Sequence, residues 1–209
     1  MERNKTIMQF FEWHLEPDGT HWSRLKEMAP QLKEKGITSV WIPPVTKAST
    51  PDNNGYAIYD LYDLGEFDQK GSVRTKFGTK QELLEAIDAC HNVGIEVYVD
   101  VVMNHKAGAD ETEVIQVIEV DPEDRTKELS EPFEIEAWTK FTFPGRGDQY
   151  SSFQWDHTHF NGTDYDANTE KTGIFKIVGD HKDWSKHVDD EFGNYDYLML
   201  ADIDYEHPE

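Results

Sequence analysis

A single cysteine, Cys90, serves all 209 residues, so no intrachain disulfide can form and nothing asks for an oxidising compartment. Cys90 falls on an apolar helix face with no histidine placed locally to activate it, which reads as a packing thiol rather than a nucleophile. Basic residues are also scarce. Against 42 Asp and Glu stand only 20 Lys and Arg, a formal charge of −22. A surface of that sign repels phosphates and anionic bilayers, so neither nucleic acid nor a membrane is expected as a partner. No apolar run approaches the ~18 residues of a membrane span. The charged stretch Met1–Lys5 leads directly into the Thr6–Trp13 run and leaves no room for a signal peptide in this numbering, which favours a cytoplasmic location, with a secreted mature form as the alternative. Missing too are a Gly-rich phosphate loop after any strand, a Gly-x-Ser-x-Gly elbow, a Ser-His-Asp signature and a Cys-rich zinc pattern.

What is present is a globular composition. Hydrophobic residues make up 37% and aromatics 12%, spread from Phe10 to Tyr205, enough to build a core and to offer flat faces to sugars. The acidic excess is heavier beyond residue 105, which suits either a solvated surface or bound cations.

Periodicity supplies the architecture. Ile7 to Phe11 reads as a short buried strand, and Thr20 as the cap of a helix whose Trp22, Leu25, Ala29 and Leu32 share a face and which stops at Gly36. Ile37–Ile42 follows as a strand ended by Pro43-Pro44. The unit then repeats: Thr79 with Glu82 forms a capping box, Leu83, Leu84, Ile87 and Cys90 give the apolar face, and Gly94 stops the helix. Ile95–Met103 is nearly continuous in apolar residues, as in a parallel strand covered on both faces. Strand, helix, strand, helix, strand means α/β, and periodicity alone leaves an open doubly wound sheet and a closed eight-stranded barrel both available. The lack of a phosphate loop favours the barrel. From Asn104 to about Tyr195 no further βαβ unit occurs, and roughly 90 residues are too many for a loop. Short β-like stretches at Glu134–Phe143, Phe153–Trp155 and Gly173–Val178 indicate a small irregular β-rich domain inserted after the third strand.

Chemistry gathers at the strand ends. Asp100 lies within the third strand and Asn104 and His105 at its C-terminal mouth, where a barrel keeps its active face. A carboxylate there needs a polar partner, backbone or side chain, which the sequence does not name. Asp202, Asp204 and Glu206 alternate along an extended segment and would repel one another, a repulsion that a hard oxygen-liganded cation offsets. Asn104, Asp196 and Asp202 are the first choice of calcium ligands, with a solvated acidic rim as the alternative. His157-Thr-His159 has the spacing of a zinc pair but no third ligand nearby.

These residues sit in motifs that resemble the bacterial α-amylases of the large starch-acting glycoside hydrolase family, particularly the liquefying and intracellular type. The carriers are Met8-Gln-Phe-Phe-Glu-Trp13, Val40-Trp-Ile-Pro-Pro44, Gly55-Tyr56, Tyr59-Asp60-Leu-Tyr-Asp-Leu-Gly-Glu-Phe67, Asp100–His105, Phe143-Pro-Gly-Arg146, and Gly193-Asn-Tyr-Asp196 through Asp204. The resemblance implies the N-terminal part of a (β/α)8 TIM barrel. Residues 1–105 would be its first three β/α units, 106–195 an inserted domain B, and 196–209 a calcium-binding return segment. By similarity Tyr56 stacks on the sugar next to the scissile bond and His105 hydrogen-bonds it. Asn104, Asp196 and Asp202 hold the main calcium, and Asp100 supports the catalytic centre. Relatives hold further metal ions in domain B, which by similarity brings in Asn161, Asp183 and Asp204, although Asn161 replaces an expected Asp.

Retaining glycosidases need two carboxylates about 5–5.5 Å apart. By the resemblance, the nucleophile follows a Gly-Phe-Arg-x-Asp motif on the fourth strand and the acid ends the fifth, and neither motif occurs before Glu209. The expectation is therefore a monomeric, calcium-dependent α-amylase acting on α-glucan, of which these 209 residues alone are inert. The alternatives are a non-catalytic calcium- and glucan-binding remnant, and a related transglycosylase or an enzyme releasing one preferred oligosaccharide.

Overall fold

The computed structural model describes residues 4–185 and 199–208. It divides into two compact units, Met1–Val102 with Pro144–Arg146, and Met103–Phe143 with Gly147–Glu209.

In the first unit β1 (Ile7–Gln9), β2 (Ser39–Ile42) and a later strand at Glu96–Val99 form a parallel sheet in which neighbours follow chain order. Order without reversal is what successive strands of a barrel have, and an open doubly wound sheet reverses at its switch point. The crossovers are α1 (His21–Glu34) and α2 (Lys80–Asn92). Trp22, Leu25, Ala29 and Leu32 of α1 meet Leu83, Ala86 and Cys90 of α2, with Val40 and Ile42 of the sheet, in one core. Burial pushes the Cys90 thiol up to about 11, in keeping with a packing role.

Local chemistry explains the helix ends. Thr79 accepts from the Glu82 backbone while Glu82 answers the Thr79 N–H at 2.8 Å, a complete capping box. Thr20 stands at the expected start of α1 but does not cap it with its side chain: its hydroxyl donates to Asp18 Oδ1 at 2.8 Å and accepts from Arg24 at 2.9 Å. Gly36 and Gly94 follow the helices with φ of +85° and +73°, the left-handed backbone that ends them. α1 also runs on through Pro30, which lies on its exposed side.

After β2 the chain forms a two-stranded antiparallel ribbon, β3 (Lys47–Ala48) and β4 (Ile58–Asp60). Buried ion pairs tie it down. Lys47 Nζ lies 3.2 Å from Asp63 and donates to the Phe67, Ser72 and Val73 carbonyls. Arg146 Nε donates to Asp60 Oδ2 at 2.7 Å, with both side chains 1% exposed. The third parallel strand, β5 (Glu96–Val99), is shorter than Ile95–Met103. Tyr98, Val99 and Val101 are exposed, and among the described residues no strand pairs with its outer edge.

The second unit is a six-stranded antiparallel sheet. Its strands are β6 (His105–Lys106), β7 (Glu111–Glu119), β8 (Phe133–Lys140), β9 (Phe160–Asp166), β10 (Lys171–Ile177) and β11 (Ala201–Ile203), in the order β6-β11-β9-β10-β7-β8. β8 and β10 overlap two of the β-like stretches, and Trp155 of the third forms a bridge to Phe141. β7 and β9 carried no expectation. Ile115, Val117, Ile135, Ala137, Phe175 and Ile177 are buried in this sheet. Lys106, also buried, sets its ammonium about 5 Å from the ring centroids of Phe141 and Trp155, a cation–π arrangement. No helix of the described residues is long and apolar enough to cross a membrane.

Candidate active-site face and cation clamp

Tyr56 and Asp100 meet in the first unit. Asp100 follows β5 directly, its N–H held by the Ile42 carbonyl at 3.0 Å. Tyr56 lies in the loop between β3 and β4. Its hydroxyl donates to Asp100 Oδ2 at 2.8 Å, which supplies the polar partner a carboxylate at this position calls for. Burial, and then the bonded Asp100 carboxylate, push the Tyr56 phenol up to about 12.

The loop is shaped for this. Gly55 has φ of +92°, and a Cβ there would fall 2.7 Å from the Pro44 side chain, so only glycine fits beneath the second proline of the pair. Asn53 Oδ1 accepts from the Gly55 and Ala57 N–H groups at 2.9 and 3.2 Å, holding the backbone on both sides of Tyr56. Trp13 stacks on Tyr56 with centroids 5.6 Å apart and planes 20° apart, and is 63% exposed. Asn54 holds the Trp13 carbonyl at 2.9 Å. The result is a pair of stacked aromatics with nearly parallel planes, Trp13 exposed and Tyr56 half-buried, the kind of surface on which a pyranose ring packs through its C–H face. Trp13 belonged to a quoted motif but had no role in the sequence reading; its exposure beside Tyr56 is tertiary information.

Asn104, His105 and Asp202 meet in the second unit. The pairing of β6 with β11 sets His105 opposite Asp202, and Asn104 O accepts from Ile203 N at 3.0 Å. Asn104 Nδ2 donates to Asp202 Oδ1 at 3.3 Å, and Asp202 is 1% exposed. Tyr205 donates to the Met103 carbonyl and so ties the return segment to the same stretch. A carboxylate this deeply buried is costly without positive charge nearby. A carboxylate and a side-chain amide oxygen are ligand types that calcium takes, and here the amide turns its nitrogen to the carboxylate. The third expected ligand, Asp196, lies outside the described residues.

Asn161 of β9, Asp183 and Asp204 also belong to this unit. Asn161 is buried, Asp183 Oδ1 accepts from Trp184 N at 3.0 Å, and Asp204 is ion-paired with Lys182. Among the described residues no group of three or more His, Cys, Asp and Glu side chains gathers as a metal cluster. His157, half of the candidate zinc pair, instead contacts Glu113 at 3.2 Å. An open hollow of about 380 Å³ is lined by Trp138, Tyr165, Asp164 and Leu200 among others. Only the general abundance of aromatics pointed towards such a surface.

A family model described as "Alpha amylase, catalytic domain" matches residues 22–172. The glucan 1,4-alpha-maltohexaosidase of Bacillus sp. (strain 707) is 55% identical over 207 residues, which is 99% of this chain and 40% of that protein. The cytoplasmic alpha-amylase of Escherichia coli (strain K12) is 50% identical over 206 residues, 97% of this chain and 42% of that one. The chain thus spans about two fifths of the length of these relatives. Among solved structures, truncated alternansucrase from Leuconostoc mesenteroides is similar with a TM-score of 0.55 and 28% identity, over 66% of this chain and 13% of that one. Strands in chain order, the motifs on their C-terminal side and these matches agree: the chain belongs to the α-amylase catalytic-domain family, whose fold is a TIM barrel.

Proposed function

We propose that the protein carrying this chain is an α-amylase that cleaves internal α-1,4-glucosidic bonds of starch, glycogen and maltooligosaccharides with retention, and that this chain supplies part of its sugar cradle and its calcium clamp. The observation that carries the reading is the Trp13–Tyr56 platform with the Tyr56 hydroxyl bonded to Asp100, at the C-terminal end of a parallel strand. The relatives named for alpha-amylase and maltohexaosidase activity support it, as does an alternansucrase structure in complex with isomaltotriose.

In this reading Tyr56 stacks on the sugar next to the scissile bond, and Asp100 fixes the ring by holding its hydroxyl. His105 hydrogen-bonds the same sugar. The two carboxylates that break the bond come from outside these residues, because no acid here stands in the family's nucleophile or acid position. Asn104 and Asp202, with Asp196, hold calcium, which supplies charge compensation and rigidity. Residues 106–195 act as domain B, inserted after the third barrel strand, with the hollow beside Trp138 and Tyr165 as a further face for glucan. The protein works as a monomer, and in the cytoplasm, as the name of the Escherichia coli relative says of that protein.

The test is the release of reducing ends from soluble starch by the full-length protein and its Tyr56→Ala variant. Activity in the parent with at least a tenfold lower kcat/KM in the variant supports the reading, a loss of about 1.4 kcal/mol or more of transition-state binding. An inactive full-length protein that still binds calcium and glucan would instead identify a binding remnant. Product analysis on the same substrate separates general endo-cleavage from release of one oligosaccharide, as the name maltohexaosidase describes for the Bacillus relative.

A further inference from the structure

Asp204 follows β11 with its side chain 6% exposed, and Lys182 reaches it with a side chain 7% exposed. The ammonium donates to Asp204 Oδ2 and to the Thr158 carbonyl. The other carboxylate oxygen, Oδ1, accepts from the Glu206 N–H at 2.9 Å. A tight turn delivers the lysine: Lys182 N donates to Gly179 O at 3.3 Å, and His181 takes φ of +63°. Two opposite charges withdrawn this far from water persist because they pair with each other and each makes a further hydrogen bond.

The resemblance places further cations near Asn161, Asp183 and Asp204, and this donor set does not fit them. Asn161 contributes an amide without charge. The charge of Asp204 is already cancelled by Lys182. A hard cation arriving there would have to displace an ammonium from one carboxylate and one carbonyl, the two ligand types it would use itself. We propose that Lys182 is a built-in cation, its ammonium taking the place at Asp204 and the Thr158 carbonyl that a metal ion would hold, so that this corner of the second unit is stabilised without bound metal. The bonds of Lys182 to Asp204 and to the Thr158 carbonyl use neither Asn104 nor Asp202, and the inference stands whether or not those two hold an ion.

The test compares melting temperatures of the full-length protein in EDTA and in millimolar CaCl2, for the wild type, Lys182→Met, and Lys182→Met with Asn161→Asp. In EDTA, Lys182→Met is expected to melt about 5 °C or more below the wild type. Calcium is expected to raise the double variant by at least twice the shift it gives the wild type, because removing the ammonium and adding a carboxylate opens the place to metal. Equal calcium shifts in the wild type and the double variant would overturn the proposal, as would a Lys182→Met variant that melts with the wild type in EDTA. Should Lys182→Met not fold, Lys182→Met with Asp204→Asn decides. Removing both charges is expected to restore a folded protein whose calcium shift does not exceed the wild type's, and failure of that pair to fold, or a larger shift, overturns the proposal.

Discussion

The hydroxyl of Tyr56 donates to Asp100 Oδ2 at 2.8 Å across 44 positions of sequence, and this bond converts a loop aromatic into a fixed ring. Asp100→Asn keeps the size of the side chain and removes the charge. We expect it to lower kcat/KM on starch at least tenfold in the full-length protein while moving the melting temperature by no more than a few degrees. Steady-state kinetics beside a thermal melt check both parts.

Burial of Tyr56, and then this bond, set a pH dependence at the alkaline end. The Tyr56 phenol is pushed up to about 12, above its ordinary value of 10.0. A raised pKa stabilises the fold fully below the ordinary value and is lost as pH rises through the raised one. Ultraviolet titration of the parent and Tyr56→Phe is expected to show one phenol ionising late, near pH 12, that the variant lacks.

His21 gives the opposite sign. It is buried among Phe10, Trp22 and Phe77, with ring centroids 5.2 to 5.4 Å away, and burial lowers its pKa from 6.5 to about 4. The unfolded chain binds the extra proton first, so stability present above pH 6.5 is lost as pH falls towards about 4, on the order of 3 kcal/mol at most. Denaturant melts between pH 7 and 4 should show a shallower loss in His21→Phe than in the parent.

Arg146 and Asp60 form a buried pair that Gln69 joins at 3.0 Å. Arg146→Ala leaves the buried Asp60 carboxylate without the cation bonded to it, which is expected to cost up to about 3–5 kcal/mol. Chemical denaturation measures it, and a change below about 1 kcal/mol would show that water reaches Asp60.

Local rules were legible where the signal was local. The Thr79–Glu82 box, the stops at Gly36 and Gly94 and the apolar face through Trp22 and Leu25 all form as the residues dictate. Thr20 departs because Asp18, two residues earlier, competes for its hydroxyl. β9 is Phe160-Asn-Gly-Thr-Asp-Tyr-Asp166, polar and with a glycine, and is a strand because β10 and β11 pair with it on both sides. β7 alternates only in part, with Val114 exposed and Ile115 and Val117 buried, and its acidic residues mask the pattern. Pairs such as Tyr56–Asp100 and Lys182–Asp204 join residues far apart in the chain, and no spacing rule reaches them. Asp100, Asn104, His105 and Asp202 were legible as candidates because strand ends and alternating acids mark them, while their partners were not.

Calcium is expected to stabilise the protein through Asn104 and Asp202. At a hundredfold excess over Kd, one bound ion adds about 2.7 kcal/mol. Chelation should therefore lower the melting temperature of the full-length protein and have little further effect on Asp202→Asn; an unchanged melting curve in the parent would refute the clamp.

The most direct measurement is the release of reducing ends from soluble starch by the full-length protein, set beside the 209-residue chain alone. Cleavage by the full-length protein and none by the chain alone is what the proposed function predicts, since it assigns these residues to the sugar cradle and draws the bond-breaking carboxylates from outside them. Cleavage by the 209 residues, or none by the full-length protein, would contradict this assignment.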